Sequence, residues 1–221
     1  MKNVNTVIFD MDGVIVDGMP YHVKSWKEAL STIGMSASDL DIYLMEGMTG
    51  RETMEVFIKK SNISISDETA DKVIKLKREI FNEIFTVTLM KGIENFLLEL
   101  KDRQYKLALV TGTRLEVVNK VLQMGLENIF KVIVTGEMVN KGKPNPEPYM
   151  NAVDELNARK EDCIVIENAP AGITSAKGAG LTCFAVQTSL SEEYLQDADK
   201  IFQDIDEVSE FLLPSIQSKE N

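Results

Sequence analysis

The sequence predicts an α/β fold, a doubly wound parallel sheet with an inserted α-helical domain. Short apolar runs recur along the chain with helical patterns between them, which is typical of a parallel sheet covered on both faces. From about Met19 to Thr86 the patterns are helical and no convincing strand occurs. We therefore expect a core domain in residues 1–17 and 87–221 and a helical cap domain, the cap, in residues 18–86.

The predicted strands are short and almost entirely apolar, as strands buried on both faces should be. They are Val4–Phe9, Lys106–Val110, Val132–Val134, Cys163–Ile166 and Thr182–Val186, with a short edge strand at Ile201–Phe202. The helices predicted between them are Ile93–Lys101, Leu115–Gln123, Glu147–Leu156, Ala171–Gly178 and Ile205–Leu213. In the cap, the patterns predict helices at Tyr21–Ile33, Glu52–Lys60 and Glu68–Phe85, the last with Val73, Leu76, Ile80 and Ile84 at helical spacing.

The composition indicates a globular protein and limits its partners. Of 221 residues 44% are hydrophobic and 27% charged, and the net charge of -11 repels phosphate backbones, so we expect no nucleic-acid partner. No segment approaches the about 18 apolar residues of a membrane span, and Asp10 and Asp12 interrupt the only N-terminal apolar run. Cys163 and Cys183 lie in apolar runs, which predicts free buried thiols in a cytoplasmic protein. The acidic surface favours a dispersed protein, and we expect a monomer.

Polar residues follow four of the predicted strands, at the edge where open α/β sheets bind ligands. They are Asp10 and Asp12 after the first strand, Thr111, Gly112 and Thr113 after the second, Lys143 after the third, and Glu167 and Asn168 at the end of the fourth. Any one of them would be an ordinary turn, cap or solvated residue. Their joint arrival at one edge favours a functional site.

The chemistry of these residues points to a phosphoryl group and Mg²⁺. Two carboxylates this close raise the pKa of one of them unless a cation lies between them, and hard oxygen ligands select Mg²⁺. The predicted metal ligands are Asp10, Asp12, Glu167 and Asn168. Thr111, the backbone N–H groups after it and Lys143 are donors suited to phosphate oxygens. Because a carboxylate can attack phosphorus, we predict that Asp10 is the nucleophile and that Asp12 is first the general acid and then the base.

Four motifs carry a resemblance to a known family. DMDGV, VTGT, GKPNPEPY and VIENAPAGI resemble, in the correct order, the four signatures of the haloacid dehalogenase-like (HAD) phosphotransferases. The set is specific, it covers most of the chain, and a helical cap stands in the expected place. Within the family the chain most resembles the β-phosphoglucomutase-like branch. That resemblance implies a HAD-like Rossmann-type core, the roles given above for Asp10 and Asp12, and a bond from the backbone carbonyl of Asp12 to Mg²⁺.

Two departures from that resemblance bear on function. The fourth motif commonly ends in two acids, whereas this chain has Glu167 and Asn168, which implies a working site with weaker metal affinity. In the cap the mutases carry a lysine where Glu46 stands here. A mutase must hold the distal phosphate of a bisphosphate intermediate, and Glu46 opposes the positive charge that Arg51 supplies. We therefore predict a phosphatase, with β-phosphoglucomutase activity as the alternative.

The residues predicted to bind substrate are His22, Glu46, Arg51, Gly112, Thr113 and Arg114. His22 either positions Asp12 or touches substrate, or else it only packs at a helix start. Glu46 is either an exposed acid at a helix end or a residue that approaches the metal when the cap closes, which would favour a compact substrate such as pyrophosphate. Arg114 either meets phosphate or is solvated, and Trp26 is predicted to pack at the hinge of the cap.

Other classes of site fit less well. A nucleotide-binding P-loop is excluded because five residues separate Gly136 from Gly142 and Pro144 replaces the required Ser or Thr. A receiver domain carries its phosphorylated Asp on a middle strand and has no inserted cap. A non-enzymatic protein that binds a phosphate ligand stays as an alternative, since function depends on the site and not on the fold. The sequence thus predicts a Mg²⁺-dependent phosphatase of small phosphorylated metabolites, either sugar phosphates or pyrophosphate.

Overall fold

The structure is a computed structural model, and it describes residues 4–61 and 63–213. Within these residues the chain forms six strands and nine α-helices. The strands are β1 (Thr6–Phe9), β2 (Lys106–Val110), β3 (Val132–Val134), β4 (Cys163–Glu167), β5 (Thr182–Val186) and β6 (Lys200–Phe202). The helices are α1 (Met19–Ser31), α2 (Asp39–Tyr43), α3 (Gly50–Ser61), α4 (Asp67–Ile84), α5 (Ile93–Asp102), α6 (Leu115–Leu122), α7 (Glu147–Glu155), α8 (Pro170–Gly178) and α9 (Ile205–Leu212). Every predicted element is present, and α2 is a helix that the sequence patterns did not predict.

The six strands form one parallel sheet in the order β3-β2-β1-β4-β5-β6. The first strand lies at its centre, with Ile8 opposite Ala108 of β2 on one side and Val165 of β4 on the other. The strand order reverses between β1 and β4, so the crevice for ligands opens at the carboxyl ends of these strands. The predicted fold class, a parallel α/β sheet, is confirmed.

Alternate residues of each strand face opposite sides of the sheet, and both sides are covered. On one side Phe9 packs in a cluster with Phe96 of α5 and Val208 of α9. On the other side Ile8 packs in a cluster with Tyr149 of α7 and Ile173 of α8. Burial on both faces is the physical reason that the strands are continuous apolar runs and do not alternate with polar residues.

Helices α1 to α4 lie within the cap and have a hydrophobic cluster of their own. It includes Trp26 and Leu30 of α1, Met54 of α3 and Val73 of α4. Strands are absent from the described part of the cap, residues 18–61 and 63–86. A separate hydrophobic core is what an inserted domain needs in order to fold, while the exact boundaries at residues 17/18 and 86/87 stay a prediction. Throughout the described ranges, no helix combines the length and apolar character that crossing a membrane requires.

Candidate active site

The carboxyl ends of the central strands bring the predicted residues together around Lys143. Asp10 follows β1, Thr111 follows β2, and Glu167 is the last residue of β4. The Lys143 ammonium lies among them and donates to Asp10 Oδ1 at 2.5 Å, Glu167 Oε1 at 2.7 Å and the Val110 carbonyl at 3.1 Å. Lys143 is fully buried, so its three donors are all satisfied by the protein and its charge is directed at the two carboxylates.

Burial and charge act against each other in this cluster. Burial raises the pKa of Asp10 to about 8, because it outweighs the lowering by Lys143, and the charge of Glu167 adds to the rise. For Lys143, burial acts to lower the pKa, but Asp10 and Glu167 together outweigh it and the pKa is raised. The lysine is therefore a stable cation at neutral pH. One ammonium does not compensate all the buried acids at this edge, which leaves the site suited to a further cation.

Asp12 is held between the sheet and the cap. Thr113 Oγ1 donates to Asp12 Oδ2 at 3.0 Å, and His22 Nε2 lies 3.3 Å from Asp12 Oδ1. Behind His22, the Lys77 ammonium of α4 lies 2.7 Å from His22 Nδ1. An ammonium can only donate, so Nδ1 is the acceptor and the imidazole proton stands on Nε2, the nitrogen nearer to Asp12. The structure thus brings His22 against Asp12, the contact that a positioning role requires, while that role itself stays a prediction.

Burial and the charges of the neighbouring residues determine the protonation state of Asp12. Burial acts to raise the pKa of Asp12, but His22 and then Thr113 outweigh it and the pKa falls below its ordinary value. Burial and the charge of Lys77 lower the pKa of His22, and burial lowers the pKa of Lys77 to about 8. Asp12 is therefore an anion in the resting site. It can accept a proton at once, and it must take one up before it can act as an acid.

Glu167 has its oxygens occupied by the protein. Its Oε1 accepts from Lys143 and, at 2.7 Å, from the buried hydroxyl of Tyr149, while its Oε2 accepts from the backbone N–H of Asn168 at 2.9 Å. Glu167 thus lies against Lys143, and its assignment as a metal ligand stays a prediction. Tyr149 was not among the predicted site residues, although it ends the third motif.

Several buried oxygens at the site lack hydrogen-bond partners in the described part of the chain, and they bear on whether a metal ion fits there. Within residues 4–61 and 63–213, the buried side-chain oxygens without a hydrogen-bond partner include Asp10 Oδ2, Glu46 Oε1 and Asn168 Oδ1. Unpaired buried acceptors are costly, and carboxylate and amide oxygens are the ligands that Mg²⁺ prefers. No three or more His, Cys, Asp or Glu side chains of the described ranges are arranged to hold a metal ion. The site fits Mg²⁺ if the metal ligands also include the amide oxygen of Asn168 and oxygens that do not belong to side-chain carboxylates.

Glu46 reaches this site from the cap. Asn168 Nδ2 donates to Glu46 Oε2 at 2.9 Å, and only 5% of Glu46 is exposed. Burial and then the charge of Asp10 raise the pKa of Glu46 well above its ordinary value. The interpretation of Glu46 as an exposed helix-end acid is therefore wrong, and the structure shows the cap closed onto the edge of the sheet.

A cavity of about 320 Å³ lies between the cap and the sheet. Asp12, His22, Trp26, Glu46 and Lys77 contribute to its walls. Trp26 also belongs to the hydrophobic cluster of the cap and is 4% exposed, which confirms that it packs there. The cavity opens beside the proposed acid–base residue, where the leaving part of a substrate would lie.

The turn after β2 closes the cavity where the sheet meets the cap. A Cβ atom on Gly112 would lie 2.5 Å from the carbonyl oxygen of Gly47 in the cap, so this approach needs glycine. The Thr111 hydroxyl accepts from the Thr113 backbone N–H at 3.0 Å, which fixes the turn. Gly112 and Thr113 thus lie at the edge of the cavity, the Thr113 hydroxyl is bonded to Asp12, and their contact with substrate stays a prediction.

The two predicted arginines line the cavity but are paired with acids. Arg51 contacts Asp67 at 3.4 Å and Asp71 at 2.6 Å, both on α4. Arg114 pairs with Glu137 after β3, and half of its side chain is exposed. The structure does not bring either guanidinium to Asp10 or Asp12, and the charge of each is paired with an acid.

Lys77 is the site residue that the sequence patterns missed most clearly. The buried residues of α4 include Val73, Lys77 and Phe81, spaced four apart, whereas the predicted stripe ran through Leu76 and Ile80. A lysine at regular spacing within an apolar face is unusual, because buried lysines need a partner. A lysine within the apolar face of α4 was therefore the sequence signal that could have identified Lys77 as a site residue.

Known proteins similar to this chain include a family, two curated relatives and a solved structure. Residues 7–186 match the sequence profile of the family described as haloacid dehalogenase-like hydrolase. The phosphorylated carbohydrates phosphatase of Thermotoga maritima is 32% identical, with 80% of this chain and 82% of that protein aligned. The β-phosphoglucomutase of Bacillus subtilis is 29% identical, over 83% of this chain and 82% of that protein. The crystal structure of the β-phosphoglucomutase of Clostridium difficile shares the fold, with a TM-score of 0.84 at 24% identity over 97% of this chain and 96% of that one.

Proposed function

The chain belongs to the haloacid dehalogenase-like hydrolases and is a phosphoric monoester hydrolase or phosphotransferase, and within that class we propose a Mg²⁺-dependent phosphatase of small phosphorylated metabolites. One observation carries the proposal. Asp10 is buried and fixed by Lys143, while Asp12, two residues later, is held separately by His22 and Thr113. Two carboxylates with different partners suit two different roles, one as nucleophile and one as acid and base.

The reaction runs in two steps through Asp10. In the first, a carboxylate oxygen of Asp10 forms a bond to phosphorus while the bond to the leaving oxygen breaks, and that oxygen takes the proton of Asp12. In the second, water gives its proton to Asp12 and attacks phosphorus, which releases inorganic phosphate and restores Asp10. Because Asp12 is an anion at rest, it takes up its proton when substrate binds.

The other residues orient the reactants and balance charge. Lys143 fixes Asp10 and presents its ammonium to the oxygens of the transferred group, and the backbone N–H groups after Thr111 are further donors. Asp10, Asn168 and the backbone carbonyl of Asp12 would hold Mg²⁺, which when bound neutralises charge on the phosphoryl oxygens. The closed cap keeps bulk water from the aspartyl-phosphate until the leaving group has departed.

The first candidate substrate is a sugar phosphate. The cavity of about 320 Å³ extends beyond the space that a phosphoryl group needs, and its walls include both apolar side chains, such as Trp26 and Phe81, and polar ones, such as Asn82. Mixed walls of this kind suit a hydroxylated organic group. The name of the Thermotoga maritima relative, a phosphorylated carbohydrates phosphatase, points in the same direction.

Pyrophosphate is the second candidate, and the contact between Glu46 and Asn168 favours it. That contact places an acid of the cap directly beside the proposed metal ligands. The Glu46 side chain there narrows the space next to the phosphoryl group, which suits a compact substrate. The pairing of Arg51 with two acids of α4 removes the cap arginine that the sequence offered for a distal phosphate, although Arg78 also lines the cavity, so the mutase alternative stays open to test.

Phosphate release with Mg²⁺ across a substrate panel tests the proposal. The panel holds sugar monophosphates, nucleoside monophosphates, phosphoglycolate and pyrophosphate, with a parallel coupled assay for conversion of β-glucose 1-phosphate to glucose 6-phosphate. We expect release from at least one class and a loss of at least about 1,000-fold in Asp10→Asn, which lacks the nucleophile. Turnover by Asp10→Asn at a rate comparable to wild type would contradict the mechanism.

Glu46→Ala separates the candidate substrates. If Glu46 favours a compact substrate, the variant should lose activity on pyrophosphate and keep or gain activity on sugar phosphates. Unchanged turnover on every accepted substrate would remove Glu46 from the site. Isomerisation of β-glucose 1-phosphate without phosphate release would identify a mutase.

A further inference from the structure

A second contact joins the cap to the loop that carries Lys143. Glu52 lies in the first turn of α3, and its Oε1 accepts from the backbone N–H of Gly142 at 2.8 Å. Gly142 directly precedes Lys143, whose ammonium holds Asp10 and Glu167. The bond therefore runs from a cap helix to the backbone next to the lysine that orients the nucleophile.

The second carboxylate oxygen of Glu52 has a different task. Its Oε2 accepts from the Thr49 backbone N–H at 3.0 Å and from the Thr49 hydroxyl at 2.7 Å. These bonds close the amino end of α3 in the manner of a capping box. One oxygen thus stabilises the helix within the cap, while the other leaves the cap and binds the core. A carboxylate has one acceptor oxygen for each of these two contacts. The side-chain amide of glutamine has only one acceptor oxygen and can keep only one of the contacts.

The space around Gly142 shows how closely the two parts meet. A Cβ atom on Gly142 would overlap Glu52 Oε2 and would lie 2.6 Å from Thr49 Cγ2. A Cβ atom on Gly47 of the cap would lie 2.8 Å from Cδ of Lys143. The cap loop therefore rests directly on the segment that carries the lysine. Rotation of the cap away from the sheet would separate Glu52 from Gly142, so this hydrogen bond belongs to the closed arrangement.

We propose that Glu52 is a positioning residue that couples closure of the cap to the placement of Lys143. This rests on the proposed function, since Lys143 matters for catalysis only if Asp10 is the nucleophile. In the closed protein Glu52 fixes the backbone at Gly142, and the restrained backbone fixes the ammonium against Asp10. Glu52 acts through Lys143 and touches neither the phosphoryl group nor the leaving group.

Glu52→Gln separates the two tasks of the carboxylate. Its carbonyl oxygen can keep the bond to Thr49, but its amide group would meet the N–H of Gly142 with a donor, so the bond to the core is lost. We expect kcat to fall about tenfold, the effect of one hydrogen bond to a charged group, with KM changed less and with the thermal midpoint lower by a few degrees, since the buried N–H of Gly142 loses its partner. Glu55→Gln, at an exposed position of the same helix, is the matched control and should match wild type.

The partner position gives an independent check. Gly142→Ala introduces the Cβ atom that overlaps Glu52 and should lower kcat in the same way. Because both changes act on the contact between Glu52 and Gly142, the double variant should lose less activity than the product of the two single losses. Multiplicative losses in the double variant would overturn the proposal, as would wild-type kcat in Glu52→Gln.

Hydrogen exchange provides a readout that does not depend on turnover. In ¹⁵N-labelled protein with Mg²⁺ and inorganic phosphate, the amide of Gly142 should be protected in wild type and should exchange faster in Glu52→Gln, while the amides of β1 and β4 are unchanged. Equal protection of Gly142 in both proteins would overturn the proposal. If wild type releases no phosphate from any ester of the panel, the proposed function fails, and the exchange of Gly142 still decides the role of Glu52.

Discussion

Lys77 carries a buried charge from α4 to His22. Its ammonium lies 2.7 Å from His22 Nδ1 and 4.7 Å from the ring centre of Phe81. The buried amine is stabilised by the imidazole and by the face of the aromatic ring, and in return it fixes which nitrogen of His22 carries the proton. The orientation of Asp12 thus depends on a residue that lies two contacts away from it.

Lys77→Met tests this dependence. Methionine keeps most of the packing volume but cannot donate, so His22 is free to rotate or to change tautomer, and Asp12 loses a fixed neighbour. We expect kcat to fall about tenfold or more, in the range of an impaired acid–base group, while the thermal midpoint is equal or higher because a buried charge is removed. Lys75→Met, on the exposed side of α4, is the control. Wild-type kcat in Lys77→Met would show that His22 needs no such partner.

Tyr149 of α7 contacts the site through the hydroxyl group of its side chain. Its buried hydroxyl donates to Glu167 Oε1, the oxygen that also accepts from Lys143. Tyr149→Phe removes one hydrogen bond to a charged acceptor and should lower the free energy of unfolding by about 1.5–3 kcal/mol, measured by urea denaturation. Tyr194→Phe removes the hydroxyl of a half-buried tyrosine away from the site and should change stability by less than about 0.5 kcal/mol. Equal losses in both variants would contradict this role.

The clustering of the proposed reactive groups could be predicted from the sequence, whereas two of the side chains behind them, Lys77 and Tyr149, could not. Asp10, Asp12 and Lys143 are visible because they follow strand ends, where a parallel sheet collects side chains. Lys77 and Tyr149 lie on helices, and their importance depends on the direction in which each helix faces. That direction is decided by packing, and an error of one position around α4 was enough to hide Lys77.

At the scale of elements, the strands and long helices were predictable because each has enough apolar residues to show a period. Helix α2 was not, since it spans five residues, Asp39–Tyr43, and buries only Ile42 among them. It is stabilised locally: the Ser38 side chain accepts from the Asp41 N–H, and the Asp41 carboxylate accepts from the Ser38 N–H. A serine followed three residues later by an acid was the signal of this helix start.

The same carboxylate predicts a dependence of stability on pH. A hydrogen bond from Lys60 of α3, and then the bonds from Ser38, lower the pKa of Asp41 from 3.8 to about 2. A lowered pKa in the folded protein stabilises it above the unfolded value, and the stabilisation is lost as pH falls toward 2. Water screens this pair, so Asp41→Asn should cost about 0.5–1 kcal/mol in urea denaturation at pH 6.

The difference between Asp41→Asn and wild type should shrink steadily between about pH 4 and pH 2. Asp197→Asn replaces an exposed aspartate outside the cap and serves as the control, with a difference near zero at every pH. A difference for Asp41→Asn that stays constant down to pH 2.5 would show that the ion pair with Lys60 does not form in solution.

At the scale of the whole molecule, the sequence predicts a division into sheet and cap but carries no signal of their closure. The division follows from the change in apolar period along the chain, which is a local property. Closure depends on pairs such as Glu46 with Asn168, 122 residues apart, and Glu52 with Gly142, 90 residues apart. No periodicity relates such residues, and for that reason Glu46 had two interpretations until its burial was known.

The reactivity of the two cysteines can show whether the sheet unfolds as one unit. Cys163 begins β4 and Cys183 lies in β5, and the side chains are 1% and 0% exposed. Burial raises the pKa of Cys163 to about 11 and the pKa of Cys183 well above its ordinary value. The thiolate is the reactive form of cysteine, so both thiols are protected twice, by exclusion of the reagent and by a low thiolate fraction.

We expect the native protein at pH 8 to react with a disulfide reagent such as DTNB only as fast as the sheet opens, and both thiols to react at once in concentrated urea. Because β4 and β5 are paired along their length, neither cysteine should become accessible without breaking the ladder between them. Added subdenaturing urea should therefore accelerate both thiols with the same dependence as global unfolding, measured on the same samples by circular dichroism. If one thiol reacts rapidly at a rate that is independent of urea, its strand opens separately from the rest of the sheet. The burial of the two thiols in the structure would then not describe the protein in solution.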